Sequence, residues 1–479
     1  MTNESSISPL DKSARYAIVA YLGISALVFV LMMLLGLLMR MGQAQWLSIP
    51  PHIFYQVMTA HGAGMVGISG LAASAVLWYF LRRHVNLTTG ILWANLVFFL
   101  LGVVLILGGI FLGGYGGAWT FLFPLPSHGM GVWGVSGAAS FLIGLLLIGV
   151  GFLLLYLDVG RAIISKYGNI GRGLGWPQLF GNSTDFPPAS VVASTMVVII
   201  NIAGILAGAV VLTMILINLF YPAFAVDALL TKNLIFFFGH VFINATIYQA
   251  VIAVYEILPE YTGRPWRVNK VFLAAWTAST FMVMFVYPHH LLMDFVMPTW
   301  MLLMGQILSY LSGLPVLVVT AYGALTIVHR SNLRWDMVSG LLFVSMFGWA
   351  VGVIPAVIDG TIAANQVMHN TMWVPGHFHM YLIVGLVAML FGFMYYIAQN
   401  GAPKLLDRLA FWVYLVAGTG FCMNFLASGQ ASVARRWAVH LPEWVGYSHA
   451  ASILAAGIAL AALVFALRFL THMGNARTA

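Results

Sequence analysis

The chain alternates between long apolar blocks and short polar connections. Twelve of the blocks are long enough to cross a bilayer, near positions 16–40, 55–81, 90–114, 131–157, 188–220, 233–258, 270–292, 299–328, 337–358, 373–398, 409–429 and 447–470. The longest connection is the Gly/Pro-containing stretch 158–188. This pattern predicts an all-α integral membrane protein, with residues 1–479 forming a single polytopic domain of about twelve transmembrane helices. A polar stretch, Met1 to Arg15, precedes a full-length span and not a short cleavable signal core. No internal repeat of the transporter kind stands out.

Composition agrees with the pattern. Of the 479 residues, 62% are hydrophobic and 7% charged, and mean hydropathy is +0.97, more apolar surface than a soluble core absorbs. The net charge of +8 records topology and no nucleic-acid partner. With both termini cytoplasmic, the inner segments hold Lys12, Arg15, Arg82, Arg83, Arg161, Lys166, Arg172, Arg264, Arg267, Lys270, Arg330, Arg334, Lys404, Arg408, Arg468 and Arg477, and the outer side keeps only Arg40, Lys232, Arg435 and Arg436. The single cysteine, Cys422, excludes a disulfide framework, a thiolate metal site and a Cys-x-x-Cys-His haem attachment.

Fourteen histidines outnumber the twelve acids, and the topology gives six of them a common depth. His61, His240, His377 and His379 lie early in outward-to-inward spans, and His289 and His290 lie late in an inward-to-outward one. Six imidazoles from four helices therefore share the outer half of the membrane. Buried imidazoles are costly unless a metal or a hydrogen bond satisfies them. Within Trp373-Val-Pro-Gly-His377-Phe-His379, a turn of about 100° per residue points the two histidines to nearly opposite faces, so each serves a different centre. For any one of these residues alone, a hydrogen-bonded bundle histidine is the competing reading. The clustering is what speaks against it.

Imidazoles suit borderline transition metals and haem iron. His61 and His379 can supply both axial ligands of a low-spin haem, and His377 can hold a second haem with its other face open. His240 and the His289–His290 pair can bind a metal opposite that face. Adjacent histidines reach one ion only near a loosened helix end, which Tyr287-Pro288 supplies.

At this point the sequence resembles the catalytic subunit I of the haem–copper oxidase superfamily, in its B-type branch. The resemblance rests on His61-Gly62, Trp119-Thr-Phe-Leu-Phe-Pro-Leu, Gly239-His240, Pro288-His289-His290, His369-Asn-Thr-Met-Trp-Val-Pro-Gly-His377-Phe-His379 and Arg435-Arg436. It implies the subunit I fold. It also implies His61 and His379 as ligands of a low-spin haem of b type, and His377 as the proximal ligand of a high-spin haem of b or a type. His240, His289 and His290 become ligands of a non-haem metal, copper in most of the family with iron as the alternative. Arg435 and Arg436 resemble the pair that neutralises haem propionates, a role for two guanidiniums on the outer side. His369 resembles a residue near the high-spin haem propionates. The family often has an acid one turn before it, where this chain has Asn365.

One departure bears on the substrate. Oxygen reductases of this branch carry a tyrosine four residues after the first metal-binding histidine, joined covalently to it. Here the chain reads His240-Val-Phe-Ile-Asn244. Breaking O–O in one step takes four electrons, one of them from that tyrosine, and asparagine cannot be oxidised to supply it. Joining two NO molecules into N2O and water takes two, which the two metals hold between them. Nitric oxide reductases of the superfamily also lack the tyrosine. Asn244 still offers hydrogen bonds to a bound intermediate or to water. Tyr248 and Tyr287 are the candidates for a substitute phenol, and Asn244 as a tolerated change in a working oxygen reductase is the alternative.

For protons, Tyr255 falls where the branch has a channel tyrosine, Ser309, Ser312 and Thr320 continue the route, and Glu256 is a candidate entrance. Each has helix packing as its competing role, and supply from the outer side is the alternative for NO. The favoured expectation is a nitric oxide reductase of a bacterial or archaeal cytoplasmic membrane, the second a proton-pumping cytochrome c oxidase, the third a histidine-rich transporter without a haem Soret band. Electrons then enter through a partner subunit with an outer-face copper or haem c domain, fed by cytochrome c or a cupredoxin.

Overall fold

The computed structural model describes residues 10–399 and 401–477; the polar residues 1–9 lie outside them. Among the described residues it is helical, with twelve helices long and apolar enough to cross a membrane: Lys12–Gln43, Pro51–Leu81, Thr89–Leu112, Val135–Tyr167, Ala189–Phe220, Ala228–Thr262, Lys270–Leu291, Thr299–Val328, Met337–Asp359, Trp373–Ala398, Leu405–Gln430 and Pro442–Asn475. These are referred to below as the first to twelfth spans. Only helices and closed barrels satisfy every backbone group in lipid, so the apolar blocks fold as the hydropathy predicts.

Three of the acids cap helices. Asp11, Asp227 and Asp336 accept hydrogen bonds from first-turn backbone amides at the starts of the first, sixth and ninth spans. The tenth span is the most deeply enclosed of the twelve, with 94% of its most apolar stretch buried. That helix carries His377 and His379, so its ligands sit in the middle of the bundle.

Three departures from regular helix occur where the histidines are. The seventh span leaves α geometry at Phe285 and finishes as a 3-10 turn, Tyr287–Leu291, as Pro288 dictates by removing a backbone donor. The eighth span, expected as one helix, is two, Thr299–Leu311 and Leu314–Val328, broken at Ser312-Gly313. Immediately after His379 the tenth span widens into a π-helical stretch, Met380–Val387. Gly305 lets the eighth span press on the ligand turn: a Cβ there would lie 2.7 Å from the backbone N of His289.

Candidate functional site

The spans enclose a chamber of about 880 Å³ lined by His61, His240, His289, His290, His369, His377 and His379, together with Asn244, Arg435 and Arg436. Side chains separated by more than 300 positions in sequence thus share one space.

His61 and His379 face each other with ring planes 13° apart and centroids 6.5 Å apart. His61 donates Nδ1–H to the Met32 carbonyl at 2.7 Å, and His379 donates Nδ1–H to the Pro375 carbonyl at 2.6 Å. Both Nε2 lone pairs are thereby left for a ligand, with the tautomer fixed by the other nitrogen. The pair fits a bis-imidazole haem.

The second cluster is His240, His289 and His290, whose ligand nitrogens all lie within 4.8 Å of one another. His240 Nδ1 is 3.1 Å from His290 Nε2 and 3.2 Å from His289 Nε2. Those separations match nitrogens sharing one ion at bond lengths of about 2.0–2.1 Å. His289 donates Nδ1–H to Ser309 Oγ at 2.5 Å, and Ser309 donates to the Gly305 carbonyl at 2.8 Å. Ser309, expected on a proton route, is instead engaged with the His289 ring. His290 is held by stacking on Phe236, centroids 5.2 Å apart. The donor set, three neutral imidazoles, suits copper or another first-row ion.

His377 points the other way from His379, as their spacing predicts. Its Nδ1 lies 3.1 Å from Oδ2 of Asp359, the last residue of the ninth span. Sequence reasoning did not find Asp359. Asn365, where the resemblance led us to expect an acid, donates Nδ2–H to the Asp359 backbone carbonyl at 2.7 Å and to Oδ1 at 3.2 Å. Arg40, counted only as an outer-side charge, also lines the chamber, over the ring of Phe425 at 5.0 Å.

The outer rim carries the arginine pair. The loop 431–441 is pinned to the segment before the tenth span by a bridge between Thr371 and Ala434, and by amides of Met372 to the Val433 carbonyl (2.8 Å) and of Arg435 to the Asn370 carbonyl (3.0 Å). Among the described residues neither Arg435 nor Arg436 forms a side-chain ion pair. Arg436 donates instead to Thr120 Oγ1 at 3.3 Å. Burial and its neighbour Arg436 lower Arg435 to about 10, and burial followed by Arg435 lowers His369 to about 4. Two guanidiniums without a direct ion-pair partner among the described residues, at the mouth of the chamber, fit propionates.

The hydroxyl residues are expected on one inward line from the chamber. Ser312 and Thr320 line the chamber, and Tyr255 and Thr320 share a hydrogen bond at 2.6 Å. Glu256 is not brought to that line; its carboxylate faces Arg83 (3.4 Å) and His84 (3.5 Å). Tyr248 lines the chamber and packs on Trp276, while Tyr287 donates to Asn233 Oδ1 at 3.0 Å. Among the described residues, the ring nitrogens of His240 meet Asn244, His289 and His290, and no phenol.

Fold and site together define a polytopic helical membrane protein built around a histidine-lined cofactor chamber. A family profile described as "Cytochrome C and Quinol oxidase polypeptide I" matches residues 16–460. The chain belongs to the haem–copper oxidase subunit I family. It is 24% identical over 452 residues to "Cytochrome c oxidase polypeptide 1" of Halobacterium salinarum, covering 88% of this chain and 71% of that one. It is 25% identical over 224 residues to "Heme-copper oxidase subunit I+III" of Aeropyrum pernix, covering 46% of this chain and 27% of that longer one. A cryo-EM structure of a heme-copper terminal oxidase dimer superposes with a TM-score of 0.82 at 19% identity, covering 98% of this chain and 85% of that one. Membership makes the chain an oxidoreductase subunit, in a family whose members carry haems and a copper centre and work in multi-subunit complexes.

Proposed function

We propose that this subunit reduces nitric oxide: 2 NO + 2 electrons + 2 protons give N2O and H2O. The observation that carries the reading is Asn244. Its amide lies 2.9 Å from Nε2 of His240 and 3.0 Å from the His240 carbonyl, in the place where an oxygen reductase of the B-type branch needs an oxidisable phenol.

In this reading His61 and His379 hold the low-spin haem, His377 the high-spin haem, and His240, His289 and His290 the non-haem metal. When bound, the high-spin haem and that metal supply the two electrons, replenished through the low-spin haem. The chain's own groups do the rest. A metal on Nδ1 of His240 would leave Nε2 facing the side-chain amide of Asn244, which is held there by donating Nδ2–H to the His240 carbonyl at 3.0 Å. Ser309 stands likewise behind Nδ1 of His289. Arg435, Arg436 and His369 hold the propionate edge. The apolar walls admit an uncharged diatomic substrate and keep bulk water out. Tyr255 and Thr320, joined by a hydrogen bond, and Ser312 in the chamber wall remain for the proton supply, with a two-proton demand to meet.

Electrons arrive from a partner subunit with an outer-face copper or haem c domain, served by cytochrome c or a cupredoxin, since the chain has no such motif of its own. The second reading, a proton-pumping oxygen reductase, draws on the oxidase names of the relatives and on Tyr248 and Tyr381, both in the chamber wall. Product stoichiometry tests the proposal: the reduced complex under anaerobic conditions forms one N2O for every two NO and two donor electrons consumed. NO loss without N2O refutes it.

A further inference from the structure

Three histidines of the chamber have the place of haem ligands, and they differ in what their other nitrogen meets. His61 and His379 each give Nδ1–H to a neutral carbonyl, at 2.7 and 2.6 Å. His377 has no carbonyl partner: among the described residues its Nδ1 has no aligned acceptor, and what lies beside it, 3.1 Å away, is the carboxylate of Asp359. The Asp359 side chain is 11% exposed and held in place through Oδ1 and its own backbone by the amide of Asn365. The bundle therefore sets an acid against one ligand and withholds it from the other two.

We propose that Asp359 is a positioning residue that makes His377 an electron-rich ligand and so lowers the potential of the haem it holds relative to the low-spin haem. The proposal rests on His377 being the high-spin haem ligand. A carboxylate behind a metal-bound imidazole raises its basicity and fixes its orientation. The contact is electrostatic first, so it acts at 3.1 Å without an aligned N–H, and it acts strongly because little water screens it. The oxidised iron carries one more positive charge than the reduced iron, so a nearby anion favours the oxidised state, through a lever the family of haem sites uses generally. The consequence is a high-spin centre that gives up electrons to its substrate readily, beside a low-spin centre whose ligands are left neutral. The Asp359–Asn365 pair also explains why position 365 tolerates an amide: the charge enters from the end of the preceding span.

The test is Asp359→Asn in the assembled complex, an isosteric change that removes the charge and keeps an amide. Spectroelectrochemical titration should show the reduced-to-oxidised ratio of the high-spin haem at fixed potential rising about tenfold, the low end of second-sphere effects and equal to about 59 mV for one electron. The low-spin haem, reported in the same scan, should stay in place. An unchanged ratio, or both haems moving together, overturns the proposal. Resonance Raman of the wild-type complex gives a second reading if the variant does not assemble: the iron–histidine stretch should lie at the high frequency of carboxylate-partnered imidazole. A band at the low frequency of carbonyl-partnered imidazole overturns it. His377→Ala separates the two layers of the argument, because retention of the high-spin haem there removes the ligand assignment itself.

Discussion

Ser309→Ala is the sharpest perturbation of the metal cluster that leaves its ligands untouched. In the wild-type structure His289 Nε2 faces the cluster only while Nδ1 keeps its proton, and the group that takes that proton is Ser309 Oγ, itself anchored to the Gly305 carbonyl at 2.8 Å. Alanine removes the acceptor and leaves Nδ1–H unpaired inside the bundle. A buried donor left unsatisfied costs about 1–3 kcal/mol, which at about 1.4 kcal/mol per decade is about 5- to 150-fold in affinity for the ion. The assay is metal retention against a graded chelator, with the spectrum of the low-spin haem as the folding control and Ser312→Ala as the companion, since Ser312 meets Ser279 through its backbone carbonyl. Full retention in Ser309→Ala with slowed turnover refutes the orienting role and returns Ser309 to the proton route.

Three further outcomes follow from the geometry. His240→Ala should abolish turnover and lower the non-haem metal content while sparing the bis-imidazole spectrum of His61 and His379; full activity means that the metal site is elsewhere. Gly429→Ala should destabilise the assembled protein by about 1–3 kcal/mol or more, because its Cβ would lie 2.1 Å from the Trp373 backbone N at the head of the ligand helix, and an unchanged thermal midpoint contradicts that packing. His440, in the outer loop, is buried and lowered by desolvation from its ordinary 6.5 to about 4. Its contribution is complete above pH 6.5 and is lost as the pH falls towards 4, so the acid-side drop in thermal midpoint should be smaller in His440→Gln than in wild type. An identical drop in the two proteins removes His440 as a cause.

Much of this architecture can be read from the sequence because lipid leaves the backbone few options. All twelve expected spans overlap observed ones, and the seventh ends in the distortion that Pro288 announces. The six histidines converge because span direction fixes depth. What hydropathy misses depends on contacts between helices. The eighth span is long and apolar enough to read as one helix by hydropathy, and the break at Ser312-Gly313 is marked only by Gly313 and by Pro315 in the first turn of its second half. Asp359 is 18 positions before His377 and reads as a helix-end acid; only the turn through Asn365 brings it behind the ligand. Glu256 illustrates the converse, since its neighbour Tyr255 faces Thr320 while its own carboxylate turns to Arg83 and His84. Adjacent helical positions point about 100° apart.

The central claim, that Asn244 marks a subunit built for nitric oxide, is tested most directly by rate. NO and oxygen consumption are measured on one preparation of the reduced, metal-loaded complex. The account predicts fast NO loss and little oxygen uptake. Fast oxygen uptake with negligible NO turnover contradicts it, and would send the search for the missing redox equivalent to Tyr248 and Tyr381 in the chamber wall.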